Sequence, residues 1–404
     1  MDISAFLLQL LIIILSAKVL GEIAASIQIP SVIGELTAGI IIGPSLFGWI
    51  ESNQIIRLLS EIGVILLLFQ VGLETDMSKL VRTGVKSALV AIGGFIAPFA
   101  FGFITSFYLF DLPLLVSLFV GGTLTATSIG ITVRTLADIN RQNSVEGQIT
   151  LGAAVLDDIF GVILLSLLYE FTVTGVVSWI NTAKVFLFVS VFFLVAPMVA
   201  KLLSHVIQYL DKKIDNPGLI PSTMISLVLF FAWLSHAVGA PELLGGFAAG
   251  VALSRRFFLP FGLAIKTEDS FSQQIDQQMT PIIQLFTPIF FVSVGLSLDL
   301  QSVDWSSSFF WYFSLILLVV AIATKFFGAL LIKEPWPRKI VVGMAMVPRG
   351  EVGLIFAGLG SAAGVFEKEV YTSLVMVIAY TTLLSPFWIK LYYRTFKTQI
   401  DSLE

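Results

Sequence analysis

Two adjacent aspartates, Asp157 and Asp158, stand in the middle of the apolar stretch LGAAVLDDIFGVILL. An ionised carboxylate in hydrocarbon costs at least about 2.5–3.5 kcal/mol, so an apolar segment that keeps two of them has a use for them. Far along the chain, Lys325 lies in VVAIATKFFGALLI, too deep to snorkel to an interface, and therefore needs a buried anion. Consecutive helical positions differ by about 100°, so the two carboxylates cannot both face that amine. One is expected to pair with Lys325 while the other opens onto a water-filled cavity. There a bound cation favours the ionised carboxylate, and a proton removes the cation's electrostatic partner, so the two ligands compete. Competition at a site that faces one side of a barrier at a time is exchange.

Oxygen ligands for an alkali cation are available in GGTLTATSIG, where Thr123, Thr125, Thr127 and Ser128 carry hydroxyls, and Thr127 is the preferred ligand. The competing role for each hydroxyl is a hydrogen bond to its own helix or packing between helices. Arg349 and Glu351 flank Gly350 in MVPRGEVGLI, where two opposite charges are expected to stabilise a helix break. Asp138, Glu74 and Glu61 are open as other partners of Arg349. Glu35, in IPSVIGELTAGIIIGPS, is a further buried acid with either a helix-end or a functional role. With no cysteine and only His205 and His236, neither disulfides, thiolate metal sites nor a histidine cluster can form. His236 either tunes a pH response or is incidental.

The elements that hold these residues must lie in lipid. Of 404 residues, 57% are hydrophobic and 12% charged, against about a quarter charged in soluble proteins, and the mean hydropathy is +0.96. Stretches able to cross about 30 Å of hydrocarbon as helices recur along the whole length, at 3–21, 30–49, 55–73, 85–108, 113–136, 146–171, 182–209, 219–238, 241–258, 280–299, 307–332, 338–362 and 370–393. The N-terminus lacks the basic region and cleavage site of a signal peptide and reads as the first span. Of the 23 Lys and Arg, all but five fall in loops on one side; Arg57, Lys184 and Lys368 lie on the other, and Lys325 and Arg349 within spans. That alternation supports about thirteen spans, an external N-terminus and a cytoplasmic C-terminus.

An all-α membrane domain follows, covering 1–404, with a first six-span repeat (1–171), a linking helix and loop (172–217, including the polar linker Asp211–Pro217) and a second repeat of opposite topology (218–395). No soluble C-terminal regulatory domain is expected. In each half the fifth span carries helix-loosening residues, GGTLTATSIG in the first and MVPRGEVGLI in the second, so both are expected to be discontinuous helices. A net charge of −4 excludes a nucleic-acid partner. The absence of HExxH ligands, and of any histidine placed as a buried base for a serine nucleophile, argues against an enzyme, and the buried charges form no rings of a channel. No cofactor is expected.

Three stretches carry a resemblance over nearly the whole chain: PSVIGELTAGIIIGPS (30–45), the TATS and LDD elements, and VPRGEVGLI (347–355). They resemble the monovalent cation:proton antiporter-2 family, in particular its two-aspartate electrogenic sodium/proton antiporters. The resemblance implies that Asp158 binds the ion, that Asp157 pairs with Lys325, and that two protons move per sodium ion; Thr127 and Ser128 are the hydroxyls expected beside that ion. It further implies a homodimer in a prokaryotic-type plasma membrane or an internal energised membrane. A mobile core of spans 4–6 and 11–13 would move as an elevator against spans 1–3 and 8–10. Potassium-efflux relatives continue into a nucleotide-binding domain and carry Gln before the ion-binding Asp, so Asp157 favours sodium or lithium over potassium as cargo. Potassium/proton exchange and organic-anion symport on a similar fold are the alternatives.

Overall fold

The computed structural model describes residues 3–27, 29–74, 77–174, 219–238, 241–254 and 269–401, with scattered positions between 183 and 203. Every regular element among them is helical. Among the described residues, nine helical stretches are long and apolar enough to cross a bilayer, so the chain is a multi-pass integral membrane protein. The seventh expected span, His205 and the linker Asp211–Pro217 lie outside the described residues or reach them only at scattered positions.

In chain order the helices are α1 (Ile3–Ser26), α2 (Ser31–Ile42), α3 (Gln54–Glu74), α4 (Met77–Ile104, continued by a π-turn Thr105–Leu109), α5 (Leu114–Thr125), α6 (Ile129–Asp138) and α7 (Val145–Thr174). After the linking region come α8 (Leu219–Ala237), α9 (Glu242–Leu253), α10 (Asp269–Leu296), α11 (Ser308–Leu330), α12 (Trp336–Ala345), α13 (Glu351–Ala362) and α14 (Lys368–Asp401). The fifth and twelfth spans are thus each two half-helices. Ala126 (φ −62°, ψ 138°) and Ser128 (φ −77°, ψ 105°) are extended between α5 and α6. Between α12 and α13, Pro348 has no N–H for the ladder and drives Val347 out of helical geometry.

Element lengths depart from the apolar windows in both directions. Spans expected at 30–49 and 241–258 contain helices of only 12 residues, α2 and α9, about 18 Å long and short of a full crossing. Each begins immediately after a proline, Pro30 or Pro241, at its N-cap. The two share their spacing of Pro and Gly. A Cβ on Gly34 would lie 2.1 Å from the Leu20 carbonyl oxygen of α1, and one on Gly245 2.1 Å from that of Phe231 in α8. Next, Gly39 abuts the Val292 carbonyl of α10 and Gly250 the Phe69 carbonyl of α3, again at 2.1 Å for an added Cβ. Conversely, α10 starts at Asp269 and not at 280. Phe271, Ile275 and Met279, four apart and buried, give its polar first turns an apolar stripe.

The chain forms two compact units. One comprises Met1–Ser52, Thr83–Ser178 and Phe291–Glu404; the other Asn53–Arg82 and Trp179–Phe290. In the first, Phe119, Leu124, Phe313, Leu317, Phe356 and Val377 pack α5, α11, α13 and α14 together. In the second, Ile65, Phe69, Met224, Phe231, Ala249 and Ile275 join α3, α8, α9 and the start of α10. Helices α1 and α2 group with the broken helices, whereas the resemblance groups the first two spans with the third.

Candidate functional site

Within the first unit the two breaks run side by side. The Ser128 N–H donates to the Pro348 carbonyl at 2.8 Å. At the C-terminal end of α12, whose last carbonyls have no helical partner, the Thr132 hydroxyl donates to the Ala345 oxygen at 2.7 Å and that of Thr127 reaches the Met346 oxygen at 3.1 Å. Glycine is required where the segments touch, because a Cβ on Gly350 would sit 2.5 Å from Ser128 Oγ.

Arg349 is fully buried. Its Nη1 donates to the carbonyls of Val347 (2.9 Å) and Met346 (3.3 Å), and its Nη2 to that of Ala321 (3.4 Å). The Thr382 hydroxyl holds the Arg349 carbonyl. The guanidinium therefore neutralises the negative end of α12. Of the carboxylates left open by sequence, Asp138 pairs with Arg134, Nε to Oδ1, at 3.4 Å. The side chains of Glu74 and Glu351 lie outside the described residues; the Glu351 backbone opens α13.

Helix α7 carries Asp157 and Asp158, 0% and 3% exposed. Lys325 Nζ lies 2.6 Å from Asp157 Oδ2, with both side chains fully buried. Onto the same oxygen the Thr127 hydroxyl donates at 2.8 Å. Asp157 Oδ1 has no hydrogen-bond partner among the described residues. Small residues bring the lysine in: a Cβ on Gly328 would lie 2.5 Å from the Val90 carbonyl of α4, and one on Gly94 3.5 Å from Lys325 Cδ. This close helix crossing is the kind small residues permit in membranes. The ammonium and carboxylate each lose solvation, and their attraction offsets that cost only when further hydrogen bonds complete the pair, which Thr127 supplies.

The hydroxyls divide. Thr123 and Thr125 bond back within α5, to the carbonyls of Phe119 (2.8 Å) and Gly122 (2.7 Å). Thr127 alone of the three threonines reaches α7, and its hydrogen bond goes to Asp157. Ser128 is buried against Gly350. Glu35 belongs to a separate cluster on α2, its Oε1 3.9 Å from Arg134 Nη2. His236 meets Glu242 at 2.5 Å on an exposed surface of the second unit.

A network that the sequence did not disclose ties α4, α7, α12 and α14. Glu146, buried in the first turn of α7, accepts from Arg338 Nε at 3.2 Å and from the Tyr393 hydroxyl at 2.8 Å. Arg338 Nη1 also donates to Glu334 at 2.6 Å, and Lys86 binds Glu334 as well. Burial works to raise the Glu334 pKa, but the hydrogen bonds from Lys86 and Arg338 outweigh it and hold the carboxyl below its ordinary value of 4.5. The only sequence signal was that Glu146 opens an apolar stretch and that Glu334 sits among Lys333, Arg338 and Lys339, which also describes ordinary loop charges.

Together, two buried carboxylates on consecutive residues, one bound to a buried ammonium, stand where two helix breaks meet. Such a place can hold a small cation or a proton. The family described as sodium/hydrogen exchanger, transmembrane, matches residues 7–394. The chain is 33% identical to the Na(+)/H(+)-K(+) antiporter GerN of Bacillus cereus, over 95% of each protein. To the high-affinity Na(+)/H(+) antiporter NhaS3 of Synechocystis sp. it is 30% identical, over 96% of this chain and 90% of that one. Its fold is that of the sodium proton antiporter MjNhaP1 of Methanocaldococcus jannaschii, with a TM-score of 0.76 at 18% identity, covering 99% of this chain and 97% of the other. The chain belongs to the sodium/hydrogen exchanger family.

Proposed function

We propose that this protein is a secondary antiporter that exchanges sodium, or lithium, for protons, with cation and proton competing at Asp158. The carrying observation is the fully buried Lys325–Asp157 pair beside a second buried carboxylate on the next residue, level with the helix breaks. Lys325 compensates Asp157, and cargo or proton then compensates Asp158 in turn. Thr127 connects the first break to Asp157, so occupancy of the carboxylates and the position of the breaks are mechanically linked. Ser128, beside Thr127, contributes oxygen to the cation, and Arg349 keeps the α12 end neutral enough to stand near it.

The shared Pro and Gly spacing of α2 and α9, with the first glycine of each, Gly34 or Gly245, against the preceding helix, supports two repeats related by inversion, as do the matching breaks. On this reading the unit with the broken helices shifts across the membrane as an elevator within a homodimer, with the N-terminus outside and the C-terminus cytoplasmic. Potassium is the second candidate cargo, favoured by the likeness to GerN, whose name includes that ion.

The test is acidification-driven exchange in proteoliposomes, followed with a pH-sensitive dye after pulses of sodium, lithium or potassium chloride. Sodium and lithium are expected to relieve the proton gradient in the unaltered protein, and Asp158→Asn is expected to abolish the response. Exchange that survives Asp158→Asn contradicts the assignment of the site, and no response to any alkali cation contradicts antiport altogether.

A further inference from the structure

One buried acid takes no part in the site above. Glu35 of α2 is 5% exposed, and its Oε2 has no hydrogen-bond partner among the described residues. Its side chain lies along α1, where a Cβ on Gly21 would sit 3.5 Å from Glu35 Cγ and 3.6 Å from Oε1. Facing it from α6 is Arg134, whose Nη2 is 3.9 Å from Oε1, beyond hydrogen-bond reach. The guanidinium is engaged elsewhere. Its Nη2 donates to Ser31 Oγ at 3.2 Å, and its Nε lies 3.4 Å from Asp138 Oδ1. Ser31 Oγ in turn donates to Asp138 Oδ2 at 3.2 Å. Other charged groups facing this corner of the unit are Lys18 and Glu22 of α1, paired with each other at 2.7 Å. Arg141, with Lys390 and Arg394 of α14, lines the neighbouring cavity at the α1–α2 turn.

Two carboxylates thus share one guanidinium, and Asp138 holds it. Ionised, Glu35 is a buried carboxylate with one oxygen bare, which costs far more than burying the neutral acid. A proton on Glu35 removes that charge and leaves Arg134 and Asp138 balanced. We propose that Glu35 is a second proton-binding site, separate from Asp158, and that its proton sets the position of the half-helix α6. The side chains of Arg134 and Asp138 are 29% and 19% exposed, so water reaches the cluster past them. They lie on the side that carries most of the loop Lys and Arg, the cytoplasmic side on the reading above. Arg134 stands about 9 Å along α6 from Ser128, at the break. Between them, Thr132 is bonded to the Ala345 carbonyl. When the proton leaves, the Glu35 carboxylate draws Arg134 away from Asp138, and α6 towards α2. That shift loosens the bonds of Thr132 to Ala345 and of Ser128 to Pro348 that fasten the two breaks. Cytoplasmic alkalinisation therefore speeds exchange and acidification slows it, an inference that rests on the antiport reading and adds its regulation.

Infrared difference spectra of the full-length protein in sodium-free detergent solution test the proton site. At neutral pH a protonated-carboxyl C=O band is expected, lost in Glu35→Gln and kept in Asp158→Asn. Glu35→Gln is also expected to unfold at the temperature of the unaltered protein, since glutamine matches a neutral acid and not an ionic partner of Arg134. In proteoliposomes, the exchange rate of the unaltered protein is expected to rise from mildly acid to mildly alkaline pH on the cytoplasmic face. Glu35→Gln is expected to reduce that rise about fivefold, the lower end of ordinary coupling between two sites. Asp138→Asn, which leaves Arg134 to Glu35 alone, is expected to move the profile to lower pH by about one unit. A band unaffected by Glu35→Gln, or marked destabilisation by that variant, overturns the proton site. Equal pH profiles for Glu35→Gln and the unaltered protein overturn its hold on α6. If the unaltered protein exchanges no alkali cation, the antiport reading fails, and the infrared band still decides Glu35.

Discussion

Lys325 and Asp157 are both removed completely from solvent, and each is tolerable only because of the other. Truncating one partner of such a pair leaves a bare buried charge, at a cost of about 3–5 kcal/mol. Lys325→Ala is therefore expected to lower the unfolding temperature sharply, and adding Asp157→Asn is expected to recover part of the loss, since the stranded charge is gone. Thermal unfolding of the single and double variants in detergent checks this; an unaltered melting point for Lys325→Ala would sink the pairing. Thr127 occupies an intermediate position. Thr127→Val removes a hydrogen bond to a carboxylate, worth about 1.5–3 kcal/mol, and is expected to destabilise without the severity of Lys325→Ala.

At the scale of the elements, the half-helices depend on one another. Gly350 admits Ser128 at a distance that no side chain allows. Gly350→Ala is expected to cost about 1–3 kcal/mol through overpacking and to slow exchange, and Ser128→Ala in that background is expected to relieve part of both defects. Equal stability of Gly350→Ala and the unaltered protein would show that the breaks do not touch. The Glu146–Arg338–Glu334–Lys86 network fastens the starts of α7 and α12 to α4. Because the folded Glu334 carboxyl lies below its ordinary value of 4.5, its contribution is fully present above that value and is lost as pH falls through the lower, folded one. Melting temperature is thus expected to drop on acidification below the ordinary glutamate range, less steeply in Glu334→Gln. Parallel acid profiles for both proteins would remove Glu334 from the account.

For the whole molecule, the elevator reading proposed above requires two compact units, and the chain forms two. A homodimer is expected, and light scattering in detergent, corrected for bound detergent, should give twice the chain mass of 44.1 kDa. A single-chain mass across a wide concentration range would remove the dimer and with it the elevator in its dimeric form. A family match over residues 7–394 constrains the fold of this whole region.

What the chain itself determined is what depends on local chemistry. Apolar windows place the helices, because each must bury its own backbone in hydrocarbon. Pro348 and the GGTLTATSIG run mark both breaks, and the Asp157–Asp158 pair stands out because carboxylates are costly there. Tertiary structure decided which neighbours meet. Gly94 and Gly328 carry Lys325 to Asp157, Thr127 serves that same oxygen while Thr123 and Thr125 turn back on α5, and Arg349 donates to the carbonyls of Met346, Val347 and Ala321. The shortening of α2 and α9 was hidden because hydropathy counts apolar loop residues as readily as helical ones. Such partnerships are set by helix crossings between residues as much as 248 positions apart, and no local pattern encodes them.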